Sequence, residues 1–315
     1  MFAALLSYDV KGRRLARLAT RGPAPQYEDR LILFIDFLGF KEVVGTTTSD
    51  PAALGRLIDA LNEIGSMGDM PAVESQRVTQ FSDSVVLSYA INEESGAFWM
   101  INEIALTVIS LVFRGYLLRG AVTIGPLYHE DRHVVGPAMV AAVEMESKIA
   151  CFPRVIVDPA VIQLARRHRR EGHSAREEEQ YVRSFISEDA DGQLFIDHVS
   201  WNSVVAVAGA DDEDYPAYLG RLSAMIETGL AHEDVRVVEK YLWLHPRYVE
   251  VLKGFADMPS DHPYRTQSWE CCEAIAALPT FKKLAREAKR RVNDAKKKML
   301  PRKQKKLKKA TSRSR

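Results

Sequence analysis

LILFIDFLGF (31–40) and FSDSVV (81–86) decide the fold, and each contains an aspartate, Asp36 and Asp83, 47 positions apart. LILFIDF is apolar without the alternation of a half-exposed strand, so it reads as a strand buried on both faces that ends in the turn Leu38-Gly39-Phe40. A carboxylate among such neighbours is costly unless it is paired, hydrogen-bonded or bound to metal. FSDSVV lies within VESQRVTQFSDSVVLSYA (73–90), two β-rich halves that meet at Ser82-Asp83 and read as a hairpin with Asp83 at or near its tip. If the two strands are neighbours, both carboxylates leave the same end of one sheet and can hold two divalent ions between them.

Working outward, a helix is expected around 51–66 and a mostly buried one over 96–115, where apolar residues recur at three- and four-residue steps. LLRGAVTIGPLY (117–128) reads as a strand closed by Gly125-Pro126. VVGPAMVAAVEMESKIA (134–150) reads as a helix with Pro137 in its first turn, and PRVIVDP (153–159) as a short strand. The order β, α, β-hairpin, α, β, α, β describes an α+β sandwich with helices against one mixed sheet. Beyond about 160 the pattern weakens to a solvated helix end with a loop, two edge strands in YVRSFIS and LFIDHV, and two helices in 211–255.

The composition, 46% hydrophobic and 27% charged over 315 residues, is that of an ordinary globular protein. No run approaches the roughly 18 uninterrupted apolar residues of a membrane span, so a cytoplasmic location is expected. Cys151, Cys271 and Cys272 form no CxxC pair or His/Cys cluster, which supports neither a disulfide framework nor a zinc site. The net charge of +1 conceals a division. Residues 282–315 hold 17 Lys/Arg against 2 Asp/Glu, an excess of 15, so the rest of the chain, with 26 against 40, is acidic by 14. That tail reads by default as solvated and partly disordered. Its charge also suits non-specific contact with a polyanion or an anionic membrane surface, or with the acidic body of its own dimer.

FIDFLGF and FSDSVV, followed by RGAVTIGPLY and VVGPAMVAAVEMES, resemble the class III nucleotide cyclases, and the likeness spans residues 30–158. Within that family the pattern is closest to the bacterial pyrimidine (uridylate and cytidylate) cyclases of the Pycsar anti-phage systems. The resemblance implies a palm-like, ferredoxin-like sandwich with a C-terminal helical extension. It divides the chain into an arm (1–29), a cyclase domain (30–210), the extension (211–281) and the basic tail (282–315). It also implies conversion of UTP, or CTP, to the 3′,5′-cyclic monophosphate and pyrophosphate by a homodimer with sites at the subunit interface, and a downstream effector that recognises the product. Two Mn²⁺ or Mg²⁺ ions are implied, held by Asp36, Asp83 and the backbone carbonyl of Phe37, to activate the ribose 3′-hydroxyl and neutralise the departing pyrophosphate. Leu38, Gly39 and Phe40 are expected to present N–H groups to the triphosphate, and Arg119 to meet phosphate or developing charge, with Lys148 a further candidate.

The departures are as informative. Where the purine enzymes read the base with a Lys and an acidic residue, this chain has Thr79 and His133, so adenine should not be read in the usual way. Where they place a transition-state Asn and Arg, it has Val140 and Glu144. Three rival readings therefore stand beside the pyrimidine cyclase: a catalytically degenerate nucleotide-binding module, an ATP or GTP cyclase, and a nucleic-acid-binding protein acting through its tail. Plainer roles stand beside the sharp ones too. Asp36 as a turn cap or partner of a core Arg, Asp83 as an ordinary turn residue, Arg119 as a structural ion pair, and His245 as a packed helix-end histidine all remain open.

Overall fold

The computed structural model describes residues 24–69, 73–209 and 213–299. β1 (Glu28–Phe37) begins just ahead of Arg30. β2 (Arg77–Phe81) and β3 (Ser84–Ala90) form the hairpin, and β3 pairs antiparallel with one edge of β1. β4 (Leu118–Glu130) pairs antiparallel with the other edge, and β5 (His133–Val135) folds back on the far end of β4. β6 (Val155–Val157) runs parallel to β4, while β7 (Ile186–Glu188) and β8 (Leu194–Ile196) extend the sheet. The order β2-β3-β1-β4-β6-β8-β7, with β5 off the path, makes a mixed eight-stranded sheet. With helices packed on it, this is an α+β architecture.

Successive side chains of β1 divide between its faces. Leu31, Leu33, Ile35 and Phe37 enter the main core, and Ile32 belongs to a smaller cluster with Val86, Leu127, Ala138 and Ala142. Asp36 falls on the second face. Both faces are covered, which is why the run reads as continuous rather than alternating. Gly120 lets β4 come this close: a Cβ there would meet the Phe34 carbonyl oxygen at 2.6 Å.

The helices are α1 (Phe40–Thr47), α2 (Pro51–Gly65), capped by the Asp50 side chain, and α3 (Gly96–Phe113). By length and composition α3 passes as a membrane span, yet 56% of it is buried among its neighbours, as in a core helix. After β5 come α4 (Pro137–Glu144) and a π-helical turn, Met145–Ala150. α5 (Pro159–Arg167) and α6 (Ala175–Arg183) follow, α6 opened by a Ser174/Glu177 capping box. The C-terminal part holds α7 (Tyr215–Ala231), α8 (Val235–Ala256), the short α9 (Pro263–Gln267) and α10 (Trp269–Ala276), and α11 (Lys282–Met299).

Three expectations change. β4 runs through Gly125-Pro126 to Glu130 instead of closing there. Pro126 lies opposite Asp29 of β1, beyond the stretch of β4 that pairs with β6, so a missing N–H is tolerated. The single helix expected over 134–150 is a strand, a helix and a π-turn, because Val134 and Val135 pair with His129 and Tyr128 before Pro137 can start the helix. The start of the basic tail is not solvated on every side. α11 buries Ala285, Ala288 and Val292, and Arg291 donates to the Leu230 and His232 carbonyls at the end of α7, while 300–315 lie outside the described residues.

α8 is fastened to the sheet by Asp189, in the β7–β8 turn. Its carboxylate accepts from Trp243 Nε1 at 2.5 Å and Arg247 Nη2 at 2.6 Å and is ion-paired to the buried Arg154. The Arg247 guanidinium lies 3.8 Å from the Trp243 ring centroid. That anchor holds the middle of α8 against the β7–β8 turn.

Candidate active site

Asp36 is the last residue of β1 on its second face, and its cross-strand neighbours are Ser84 on β3 and Arg119 on β4. The Ser84 hydroxyl donates to Asp36 Oδ1 at 3.1 Å. Asp83 precedes Ser84 in the hairpin turn, where Ser82 takes a left-handed conformation (φ 57°), and its carboxyl reaches the Asp36 carboxyl. Two half-buried acids so close cannot both be charged cheaply. Burial, and then the Asp83 charge, push Asp36 up to about 6 against the opposing Ser84 hydrogen bond.

This arrangement fits divalent cations. Among the described residues no cluster of three or more His, Cys, Asp or Glu forms a closed cage. Mg²⁺-type sites, however, need only one or two carboxylates with waters and substrate phosphates. The mutual repulsion of Asp36 and Asp83 is what a bound cation would relieve, and Phe37 directly follows Asp36 in the chain with a backbone carbonyl to offer. The Phe37 ring is buried and packs edge-on against Tyr116, with centroids 5.6 Å apart.

Gly39 takes φ +80° as the N-cap of α1 and its carbonyl accepts from Glu42 and Val43. The N–H groups of Phe40 and Lys41, in the first turn of α1, have no acceptor within the helix. Leu38 does not join them: its N–H donates to the Leu117 carbonyl at 2.8 Å, extending the β1–β4 ladder by one bond. The expected three-residue phosphate turn is thereby shortened.

Arg119 is ion-paired through Nε with Glu146, a side chain 5% exposed in the π-helical turn. Burial raises the Glu146 carboxyl and Arg119 opposes that shift. Glu146 also acts electrostatically on Asp36, and Lys240 of α8 acts on both Glu146 and Arg119. Neither Glu146 nor Lys240 was singled out by sequence. Glu146 gives only the weak signal of an acid in an apolar helix-like run, and Lys240 gives none, since only the path of α8 brings it here.

The remaining candidates lie elsewhere. Thr79 is buried on β2, and its hydroxyl donates to the Asp131 carbonyl at 3.1 Å and meets His129 Nε2 at 2.9 Å. His129 Nδ1 meets the Ser88 hydroxyl at 2.8 Å, and Ser88 accepts from Arg30 Nε at 2.9 Å. Thr79 already donates, so His129 Nε2 carries the proton and Nδ1 accepts from Ser88. Burial first, then Arg30 and Arg77, hold His129 down at about 4, consistent with a neutral ring. Thr79 thus ties the β4–β5 hairpin to β2. His133 is exposed on β5, opposite Glu130, and is not drawn to the aspartates. Lys148 is exposed and paired at 2.6 Å with Glu144 one turn earlier, which answers the same sequence reading with a local ion pair. Val140 is 61% exposed on α4, and His245 meets the Thr280 carbonyl at 2.8 Å as a packed helix residue.

No protein-family model and no curated protein matches the chain. Among solved structures it is similar to the catalytic core of a rhodopsin-guanylyl cyclase with converted specificity in complex with ATPαS. The TM-score is 0.36 and the identity 16%, over 55% of this chain and 97% of that one. At that score the likeness carries no functional argument, which rests on the side chains above.

Proposed function

We propose that the chain is a nucleotide cyclase that converts a pyrimidine triphosphate, UTP ahead of CTP, to its 3′,5′-cyclic monophosphate. The observation that carries this reading is the meeting of Asp36 and Asp83 at one end of the sheet, with Ser84 and Arg119 on either side of Asp36. Asp36, Asp83 and the Phe37 carbonyl would hold two divalent cations, which when bound supply Lewis-acid activation of the attacking hydroxyl and neutralise the leaving group. The α1 turn receives phosphate oxygens on its free N–H groups, Ser84 keeps Asp36 oriented, and Arg119 faces the charge that develops at the α-phosphate. The bond from the 3′-oxygen to the α-phosphorus forms as the bond to the bridging oxygen breaks; the hydroxyl proton goes to solvent and pyrophosphate departs.

The pyrimidine preference is supported by Thr79, whose hydroxyl is committed to the hairpin and offers no lysine-like donor to a purine edge. The homodimer is supported by apolar side chains left exposed on β2, β5, α4 and the π-helical turn, namely Phe81, Val135, Val140 and Ile149, which suit a second copy. A cytoplasmic second-messenger role in anti-phage defence, read by an effector, follows from the sequence resemblance. The Glu144–Lys148 pair and exposed Val140 favour one competing reading, a cyclase-like module that binds nucleotide without turnover. Incubation with each of the four NTPs and Mn²⁺, with products identified by mass, decides. A cyclic pyrimidine supports the proposal, a cyclic purine moves it to the ATP or GTP cyclases, and tight binding with no product selects the module.

A further inference from the structure

Besides the aspartate end of the sheet, the molecule has a cavity of about 680 Å³ walled by α2, α3, the connection from α3 to β4, a second π-helical turn (Asn202–Val207) and α7. None of Asp36, Asp83 and Arg119 lines it. Its size falls within the roughly 300–1,000 Å³ of small-ligand pockets. Much of the wall is apolar, from Leu106, Ile109, Phe113, Tyr116 and Val204, and Leu106 and Phe113 stay 46% and 44% exposed. Two large apolar side chains left in water on a concave surface are what the apolar body of a ligand would cover.

The charge on the wall sets what else such a ligand carries. Three arginines, Arg56, Arg114 and Arg221, stand against one acid, Asp214. Arg114 is paired with Glu63 at 2.6 Å, and Arg56 reaches Asp50 only at 3.5 Å, a weak exposed contact. Arg221 has no acidic partner among the described residues. Its Nε donates to the Phe113 carbonyl at 3.2 Å, which holds the guanidinium beside the apolar wall and leaves both terminal nitrogens to a ligand. A guanidinium fork takes a carboxylate or a related anion through two N–H groups. A cation is repelled here, and a purely apolar molecule leaves the fork unused.

The cavity reaches the proposed metal end through Tyr116. The Tyr116 ring packs against the Phe37 ring with centroids 5.6 Å apart, and the next residue, Leu117, accepts from the Leu38 N–H at 2.8 Å. The wall is thus in contact with the residues that follow Asp36.

We propose that this cavity is a second binding site, for a free amphipathic organic anion, with Arg221 holding the anionic group and the apolar wall covering the attached chain or ring. Occupancy bears on the Phe37 turn through Tyr116; that consequence rests on the cyclase reading above, whereas the binding does not.

The test is calorimetric titration of decanoate, below its micelle concentration, into the full chain. The wild type should bind decanoate at least about tenfold more tightly than 1-decanol or decyltrimethylammonium, and Arg221→Gln should weaken decanoate about tenfold, as loss of one charged contact does. Arg221→Lys should recover part of that loss. Leu106→Asp, at an exposed position of the wall, should abolish binding, and Lys253→Gln, an exposed site outside the cavity, should leave it unchanged. Circular dichroism and the melting temperature check folding, and the variants of exposed Arg221 keep the comparison open if Leu106→Asp does not fold. Equal affinity of folded Arg221→Gln and wild type, or equal affinity for the three decyl probes, overturns the site. So does absence of wild-type binding at millimolar decanoate: a dimer that Leu106→Asp dissociates would then assign the wall to a second copy, and Arg221-dependent co-sedimentation with phosphatidylglycerol vesicles would assign it to a membrane. If decanoate binds as expected while no NTP yields a cyclic product, the cyclase reading falls and the site stands. A cyclic product without decanoate binding is the reverse.

Discussion

Asp36 and Arg119 face each other across the β1–β4 ladder, so the acid proposed to bind cations and the base proposed to meet phosphate are held at a fixed strand-to-strand spacing. Each is tied by a second group, Asp36 by Ser84 and Arg119 by Glu146. A rigid sheet end thus sets the distance between opposite charges that a polyphosphate–metal complex must span.

Arg119 and Lys are not interchangeable here. Arg119→Lys keeps the charge but loses the fork, and should leave the melting temperature within a few degrees while lowering product formation at least about tenfold. Arg119→Ala strands a buried Glu146 and should cost about 3 kcal/mol in a denaturant titration.

Gly120→Ala should destabilise the fold by about 1–3 kcal/mol, since the added Cβ meets β1 backbone rather than a movable side chain. Urea unfolding measures it. The same strain displaces Arg119, so activity should fall in the surviving folded fraction.

His129 gives a pH dependence with a definite sign. Its folded value of about 4 lies below its ordinary 6.5, so the unfolded chain binds the proton first. The contribution is complete above pH 6.5 and is lost as pH falls toward 4, amounting to about 3 kcal/mol at full extent. Asp36, raised to about 6, works in the opposite direction as pH falls below 6, and the comparison must isolate His129. Wild type minus His129→Gln, measured by urea unfolding at pH 7, 5.5 and 4.5, should show a stability difference that shrinks steadily on acidification. A constant difference contradicts the neutral-histidine assignment.

The strand around Asp36, the hairpin at Asp83 and the long helix α3 were legible because periodicity and turn chemistry are local properties. The break of 134–150 into strand, helix and π-turn was not, because a three-residue strand such as β5 exists only by pairing with β4. Thr79 was legible as a residue that replaces a lysine, but its bond to His129 depends on a hairpin folding over β2. Glu146 was invisible for the same reason: its role is created by the π-helical turn meeting Arg119 of β4. Lys148, which sequence offered instead, is consumed by Glu144 one turn away.

Metal affinity should follow the protonation of Asp36. Below about pH 6 the proton competes with the cation, so Mn²⁺ binding should weaken by up to about tenfold per pH unit. Ser84→Ala removes the hydrogen bond that favours the charged carboxylate and should move that dependence to higher pH.

Mn²⁺ binding counted by electron paramagnetic resonance, with 3′-deoxy-UTP present so that no cyclisation occurs, tests the shared-carboxylate site most directly. Wild type should bind two ions per chain in excess of those held by the free nucleotide, and both Asp36→Asn and Asp83→Asn should abolish the pair. Wild-type stoichiometry and affinity in either folded variant would show that the two carboxylates, though side by side, do not hold common cations.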